Sequence, residues 1–289
     1  MEFAEIIRLL IHGVVLGSIL TLGAIGLSLQ YGILRFANFA HGDVMTLGAY
    51  FGLFAITASG VQAWAAMPFA MLMTFLVALA IDQTLYKRLR STQPIILLIA
   101  SVGIAFMMRS AISLVWGPDN HVYQAGIQMP VKVGDIRIKP AWFMIVGGAA
   151  VLVLALHLFL QRTKVGKAMR AMSDNRDLAQ VSGIAVERVI IWTWAISAAL
   201  AAAAGVMLGM DTQLNPIMGW KLLLPIFAAA ILGGIGKPYG AIAGGLTIGI
   251  VQEMSTLAIA PAYKPAIAFG LMVIILIWRP TGLFSGRST

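Results

Sequence analysis

Apolar residues run along this chain in nine blocks, at about 9–29, 42–59, 66–86, 94–116, 141–160, 190–210, 222–235, 239–258 and 264–279, with short polar stretches between them. Most blocks approach the roughly 17 to 25 residues that a helix needs to cross a ~30 Å hydrocarbon core. The pattern predicts an all-α polytopic transmembrane helix bundle, one domain over residues 1–289, with about 8–10 membrane segments. A transmembrane β-barrel would instead show alternating segments of ~10 residues. The seventh block is short, and Gly233, Gly234, Gly236 and Pro238 crowd the gap before the eighth. Some segments are therefore expected to be broken or re-entrant.

Two polar stretches are long enough to hold structure of their own. Within 117–140, "VKVGDIRI" alternates apolar and charged residues around Gly134-Asp135, the pattern of a β-hairpin; an irregular loop is the alternative. Within 161–189, "KAMRAMSDNRDLAQVSGI" predicts a short helix over about 174–182. Ser173 or Asp174 serves as its N-cap, Asp177 lies in its first turn, and Gly183 takes the C′ position. With only Leu178, Ala179 and Val181 as apolar residues, such a helix is marginal alone in water and needs a surface to rest on. That surface is either its own spans or a docked partner.

Composition sharpens this picture. The chain is 60% hydrophobic and 11% charged, where a soluble domain carries about a quarter of its residues as charges. The net charge of +9 reports membrane topology rather than nucleic-acid binding. Lys87, Arg88, Arg90, Arg162, Lys164, Lys167, Arg170, Arg176, Arg188, Arg279, Arg287, Arg35 and Lys237 all fall on one side of the alternating spans. Arg8, Lys132, Arg137, Lys139, Lys221 and Lys264 fall on the other, and Arg109 within a span. The bias selects the N-terminus outside, the C-terminus cytoplasmic, 117–140 periplasmic and 161–189 cytoplasmic. The first block is expected to be a true span, being too long for a signal-peptide core. With no cysteine there is no disulfide, thiolate nucleophile or Cys-ligated metal.

Polar residues at membrane depth mark function or internal pairing. "NFAHGDVM" sets Asn38, His41 and Asp43 around Gly42 at the start of the second block. This is either a surface N-cap, with Asp43 complementing the helix dipole, or a half-helix start inside the membrane, of the kind transporters aim at anionic substrates. A broken or re-entrant helix is expected over a straight span, and substrate contact at these residues stays open. Arg109 and Glu253 are further candidates for buried charge without an evident partner. His12, His121 and His157 lack metal-ligand spacing, so no metal site is expected. "ILGGIGKP" (231–238) is not a P-loop: Ile231 stands where Gly is required and Pro238 where Ser or Thr would hold Mg²⁺. The four-residue spacing of Gly236, Gly240 and Gly244, repeated by Gly245/Gly249, Gly13/Gly17, Gly48/Gly52 and Gly205/Gly209, points instead to close helix packing. No catalytic constellation is present, so the chain is not read as an enzyme.

Asp177, Ala179 and Gly183 stand where the coupling loop of ABC importer permeases has its acid, alanine and glycine. "YGILRFANFAHGDVMTLGAY" (31–50), "AAAILGGIGKPYGAIAGGLTIGIVQE" (228–253) and "RPTGLF" (279–284) resemble the signatures of LivH-type branched-chain amino acid permeases. The resemblance covers nearly the whole chain. It implies an ABC importer permease fold in the bacterial inner membrane, a second permease (a LivM-like paralogue), a periplasmic substrate-binding protein and two cytosolic ATPases. Those ATPases would hold ATP and Mg²⁺, this chain no cofactor. Arg170, Ser173, Asp174, Asn175, Asp177, Leu178, Ala179 and Gly183 would contact the ATPases. Urea or short amides are the alternative substrates, and a self-sufficient secondary transporter is the alternative class; the latter would more often show two homologous halves.

Overall fold

The computed structural model describes residues 2–123, 131–133, 136–279 and 282. Each of the nine apolar blocks forms a helix. They are α1 (Glu2–Leu34), α2 (His41–Ser59), α3 (Ala63–Ile81, continued through a π-turn at Asp82–Tyr86 to Leu89), α4 (Pro94–Trp116), α5 (Pro140–Arg162), α8 (Val186–Asp211), α9 (Met218–Gly233), α10 (Pro238–Met254) and α11 (Lys264–Trp278). Between α5 and α8 lie two polar helices, α6 (Lys164–Asp174) and α7 (Arg176–Val181). Pro94, Pro140 and Pro238 each open a helix, where the missing N–H costs nothing. Six helices among the described residues are long and apolar enough to cross a membrane. The hairpin forms as β1 (Val131–Val133) and β2 (Ile136–Ile138), antiparallel, with Val131 opposite Ile138. Its turn, residues 134 and 135, lies outside the described residues, as does most of "RPTGLF".

Ion pairs and hydrogen bonds sort the helix ends into two groups. At the hairpin end, Asp211 closing α8 accepts from Trp142 Nε1 at the start of α5 (2.7 Å) and faces His12 near the start of α1 (3.5 Å). Glu253 near the end of α10 pairs with His12 (3.0 Å) and with Lys264, the first residue of α11 (2.6 Å). At the opposite end, Arg90 after α3 pairs with Asp82 and with Glu187 at the start of α8. There too Arg35 after α1 donates to the Ser173 carbonyl of α6 (2.6 Å). The spans thus alternate in direction, as the charge pattern requires.

The bundle contains an inverted repeat. α1 and α8 run antiparallel: His12 meets Asp211, and, fourteen residues further along α1 and fourteen back along α8, the Gly26 carbonyl accepts from Ser197 Oγ (2.9 Å). Each long helix is followed by a return loop, residues 35–40 and 212–217, and then by a shorter helix, α2 or α9. α1 packs along α10 as α8 packs along α3; α2 rests on α8 as α9 rests on α1; and α2 meets α9 at the centre. α1–α4 and α8–α11 are therefore two halves of opposite topology. The expectation that two halves would single out a secondary transporter does not hold for this fold.

Close approach explains the glycine spacing. A Cβ at Gly249 of α10 would lie 2.3 Å from the Gly17 Cα of α1, so backbones here touch where small residues face each other. Gly240 and Gly244 face Gly233 and Ala229 of α9 in the same way. Gly236 differs from the other two: it lies in the turn between α9 and α10 with φ +83°, in the gap between the seventh and eighth blocks. Its role is the turn, beside Gly32. α3, α4, α5 and α11 keep large apolar side chains such as Leu72, Leu114, Val151 and Ile277 on the outside, while α1, α2, α8 and α9 form the core.

Candidate functional site

The 35–40 loop does not run along a surface. His41, the first residue of α2, has its Nε2 2.9 Å from the Gly23 carbonyl. Gly23 lies eleven residues before the end of α1, or about 16 Å at 1.5 Å per residue. The Ser197 level, opposite Gly26, lies fourteen residues from the end of α8, about 21 Å. α2 therefore begins near mid-depth, and the surface N-cap reading of "NFAHGDVM" is replaced by the half-helix reading. Asn38 secures the loop. Its Oδ1 accepts from the Ala40 N–H (3.0 Å) and Tyr86 Oη (3.2 Å), and its Nδ2 donates to Gln30 Oε1 (3.0 Å).

The second half repeats this. Asn215 Oδ1 accepts from the Ile217 N–H (3.2 Å), and four residues after each asparagine comes a glycine, Gly42 and Gly219. These glycines face each other. A Cβ at Gly219 would lie 1.9 Å from the Gly42 carbonyl oxygen, and the Gly219 N–H donates to Thr46 Oγ1 (3.0 Å). Two half-helices thus start nose to nose in the middle of the bundle. The shared Asn-x-x-x-Gly spacing was the sequence signal for this junction.

Asn38, His41, Gly42 and Asp43 are all brought to the junction, and all are buried within the chain. Asp43 caps nothing. It binds Arg109 of α4 through both carboxylate oxygens, from Nε and Nη2 at 3.2 Å each. This bidentate pair answers what neutralises Arg109. The guanidinium carbon also lies 4.8 Å from the Trp220 ring and 5.3 Å from that of Phe106, within cation–π range. The surface that the junction presents outward is consequently Phe106, Trp220 and the next residue, Lys221.

Lys221 is a correction. Its place between two apolar blocks suggested an outer loop, but the 212–217 loop turns back into the bundle, so Lys221 sits in the first turn of α9, two residues past Gly219. It is exposed, and makes no hydrogen bond or ion pair with the described residues. A lysine facing lipid costs up to about 2.5–3.5 kcal/mol on insertion scales, the full figure applying at the membrane centre.

The polar segment also departs from expectation. The N-cap is Asn175, whose Oδ1 accepts from the Leu178 N–H (3.0 Å); Ser173 and Asp174 close the preceding helix, and Arg170 lies exposed within it. The sequence signal for α6 is the spacing of Val165, Ala168, Met169 and Met172, which places Met169 and Met172 in the core. α7 ends at Gly183, φ +82°, with Gly183 N–H to the Gln180 carbonyl (3.0 Å) and Ile184 N–H to the Ala179 carbonyl (3.1 Å). That pair of bonds is a Schellman cap. Ala179 faces inward. Leu178 (64%) and Val181 (87%) form an exposed apolar ridge flanked by Asp177 and Gln180. Behind α6, Arg170, Ser173 and Asp174 border a cleft of about 370 Å³ that opens against Lys237 and Tyr239 at the start of α10.

Residues 9–276 match a protein family described as branched-chain amino acid transport system / permease component. The chain belongs to this family. The permease is 31% identical to the high-affinity branched-chain amino acid transport system permease protein BraD of Pseudomonas aeruginosa, covering 98% of this chain and 96% of that one. It is 32% identical to the LivH permease protein of Escherichia coli (strain K12), with the same coverage. A more distant similarity, 25% over 54% of this chain, links it to the ribose import permease protein RbsC of Haemophilus influenzae. In fold the permease resembles PsaBC from Streptococcus pneumoniae in complex with Fab, with TM-score 0.53 and 15% identity over 93% of this chain and 90% of that one.

Proposed function

We propose that the permease forms half of the translocation pathway of an ATP-driven importer for branched-chain amino acids in the bacterial inner membrane. In this reading the hairpin end is periplasmic and α6–α7 are cytoplasmic, which the cation bias supports. A second permease closes the pathway, a periplasmic binding protein delivers the substrate, and two cytosolic ATPases supply ATP and Mg²⁺. The chain itself binds no nucleotide and catalyses no reaction.

The observation that carries the coupling reading is the α7 ridge. A six-residue helix capped at both ends, by Asn175 and Gly183, holds Leu178 and Val181 out in water. Apolar side chains presented from a rigid capped turn are suited to a hydrophobic cleft on another protein. Arg170, Ser173, Asp174 and Asp177 lie around that ridge and would form its polar rim. The substrate reading is supported by the near full-length similarity to branched-chain amino acid permeases.

The test is reconstitution of the five-component complex. Proteoliposomes are expected to accumulate radiolabelled leucine with ATP inside and binding protein outside. Uptake of urea but not leucine would overturn the substrate, and ATP hydrolysis by this chain alone would overturn the division of labour.

A further inference from the structure

Lys221 is a cation at membrane depth with nothing among the described residues to answer it. Its neighbour Trp220 lies on Arg109 of α4, seven residues or about 10 Å before that helix ends at Trp116, so the Lys221 backbone sits below the hairpin end of the bundle rather than at it. Arg109 beside it is neutralised by Asp43, which leaves Lys221 as the net charge of this face. The face itself is exposed: Phe106 on α4 and Leu224 on α9 are half open, and the rings of Phe106 and Trp220 lie 6.4 Å apart. A lone ammonium on such a face is tenable where it borders water or a counter-charge, not where it borders acyl chains.

We infer that the α4–α9 face carrying Phe106, Arg109, Trp220 and Lys221 lines the aqueous pathway, and that Lys221 receives the carboxylate of the amino acid as it passes. This rests on the reading of the chain as an amino-acid permease. The Asp43–Arg109 pair has a positioning role: Arg109, held by two hydrogen bonds, fixes Trp220 from below, and Trp220 precedes Lys221 on the same first turn. The arrangement suits an amino acid with an apolar side chain. The carboxylate meets Lys221, and the aliphatic part slides over Phe106 and Trp220. A single exposed lysine, unlike a buried bidentate arginine, holds an anion loosely, as a pathway that must release its cargo requires.

Because the chain has no cysteine, Lys221→Cys introduces a single thiol. In the assembled complex with cysteine-free partners, a membrane-impermeant methanethiosulfonate added to the aqueous phase is expected to label position 221, and leucine-loaded binding protein with ATP is expected to slow the labelling. K221Q is expected to cut leucine uptake at least tenfold, and K221R to restore most of it. A thiol at 221 that resists the reagent, or K221Q uptake equal to the parent's, overturns the inference. If K221Q fails to copurify with the second permease while K221R succeeds, the lysine is an ion-pair partner between subunits and substrate recognition is overturned. A parent complex that moves no leucine strikes the proposed function itself. A parent that does, beside an equally active K221Q, strikes only this inference.

Discussion

Gly183→Val isolates the coupling element from the bundle. Gly183 has φ +82°, and a Cβ built there meets no atom within 4 Å. The substitution therefore costs nothing sterically beyond its own backbone. A β-branched residue in the left-handed region costs about 1–3 kcal/mol. The Schellman bonds from Gly183 and Ile184 fix the end of α7, and six residues form too short a helix to survive without its caps. The strain then goes into the equilibrium between capped and frayed α7. If docking requires the capped form, apparent affinity falls by the fraction lost, roughly 5- to 150-fold for 1–3 kcal/mol. The core of the bundle, formed by α1, α2, α8 and α9, does not touch this position and keeps its stability. Binding of purified ATPase subunits to the detergent-solubilised permease pair, read beside the melting temperature, makes the comparison. Gly183→Asn, which tolerates the left-handed conformation, is expected to bind close to the parent. Full affinity in Gly183→Val would show that the α7 cap contributes nothing to docking and would refute the reasoning.

Four other outcomes are expected. Gly249→Leu forces side-chain atoms against Gly17 and Gly13 where the helices touch and should destabilise by about 1–3 kcal/mol, whereas Gly103→Ala, open on its Cβ side, should leave the melting temperature unchanged. Asp43→Asn leaves Arg109 without its buried counter-charge, a loss of about 3–5 kcal/mol; adding Arg109→Gln should recover part of the melting temperature, and no recovery would argue against the pair. Reporter fusions at Asn175 and Gly134 should read cytoplasmic and periplasmic respectively, and the same side for both would overturn the orientation. Arg35→Ala removes the 2.6 Å bond to the Ser173 carbonyl and should lower the ratio of leucine transported to ATP hydrolysed; an unchanged ratio would show that this contact carries no coupling.

What could be read from the sequence followed the kind of signal each element leaves. Apolar block length marked all nine long helices, since hydrophobic thickness is a local property of the chain. Gly183 was legible because a C′ glycine declares its conformation. Lys221 was not, because a return loop and a surface loop have the same composition; only the fold shows that 212–217 turns inward. Asn215 and Gly219, matching Asn38 and Gly42, were the clue that the second loop copies the first. Partners of buried charges were equally hidden. Asp43 and Arg109 are 66 residues apart, and His12 reaches Asp211 and Glu253 across most of the chain. α6 was hidden because Ser173 and Asp174 have the composition of an N-cap, yet they end one helix while Asn175 caps the next.

The half-helix junction and the α6–α7 segment are joined through one residue, Arg35, by a hydrogen bond. α1 ends at Leu34, and Arg35 follows with φ +59°, the one non-glycine residue in the left-handed region among those described. Its side chain holds the Ser173 carbonyl at the end of α6, and its backbone begins the loop to Asn38, three residues on. Asn38 in turn fixes the start of α2 against Gly23 and Gly219. A displacement of α6–α7 would bear on the core through Met169 and Met172 and, through Arg35, on residues 35–40, where Asn38 is tethered by side-chain bonds to Gln30 and Tyr86 rather than by helix. Strain of about 1–3 kcal/mol at such a residue persists only when its surroundings over-determine it. Here the determinants are the very contacts that join the two regions. A rigid helix end at Arg35 would isolate the junction from α6; the kinked, tethered turn connects them, and the Arg35→Ala coupling ratio measures how much of the connection it carries.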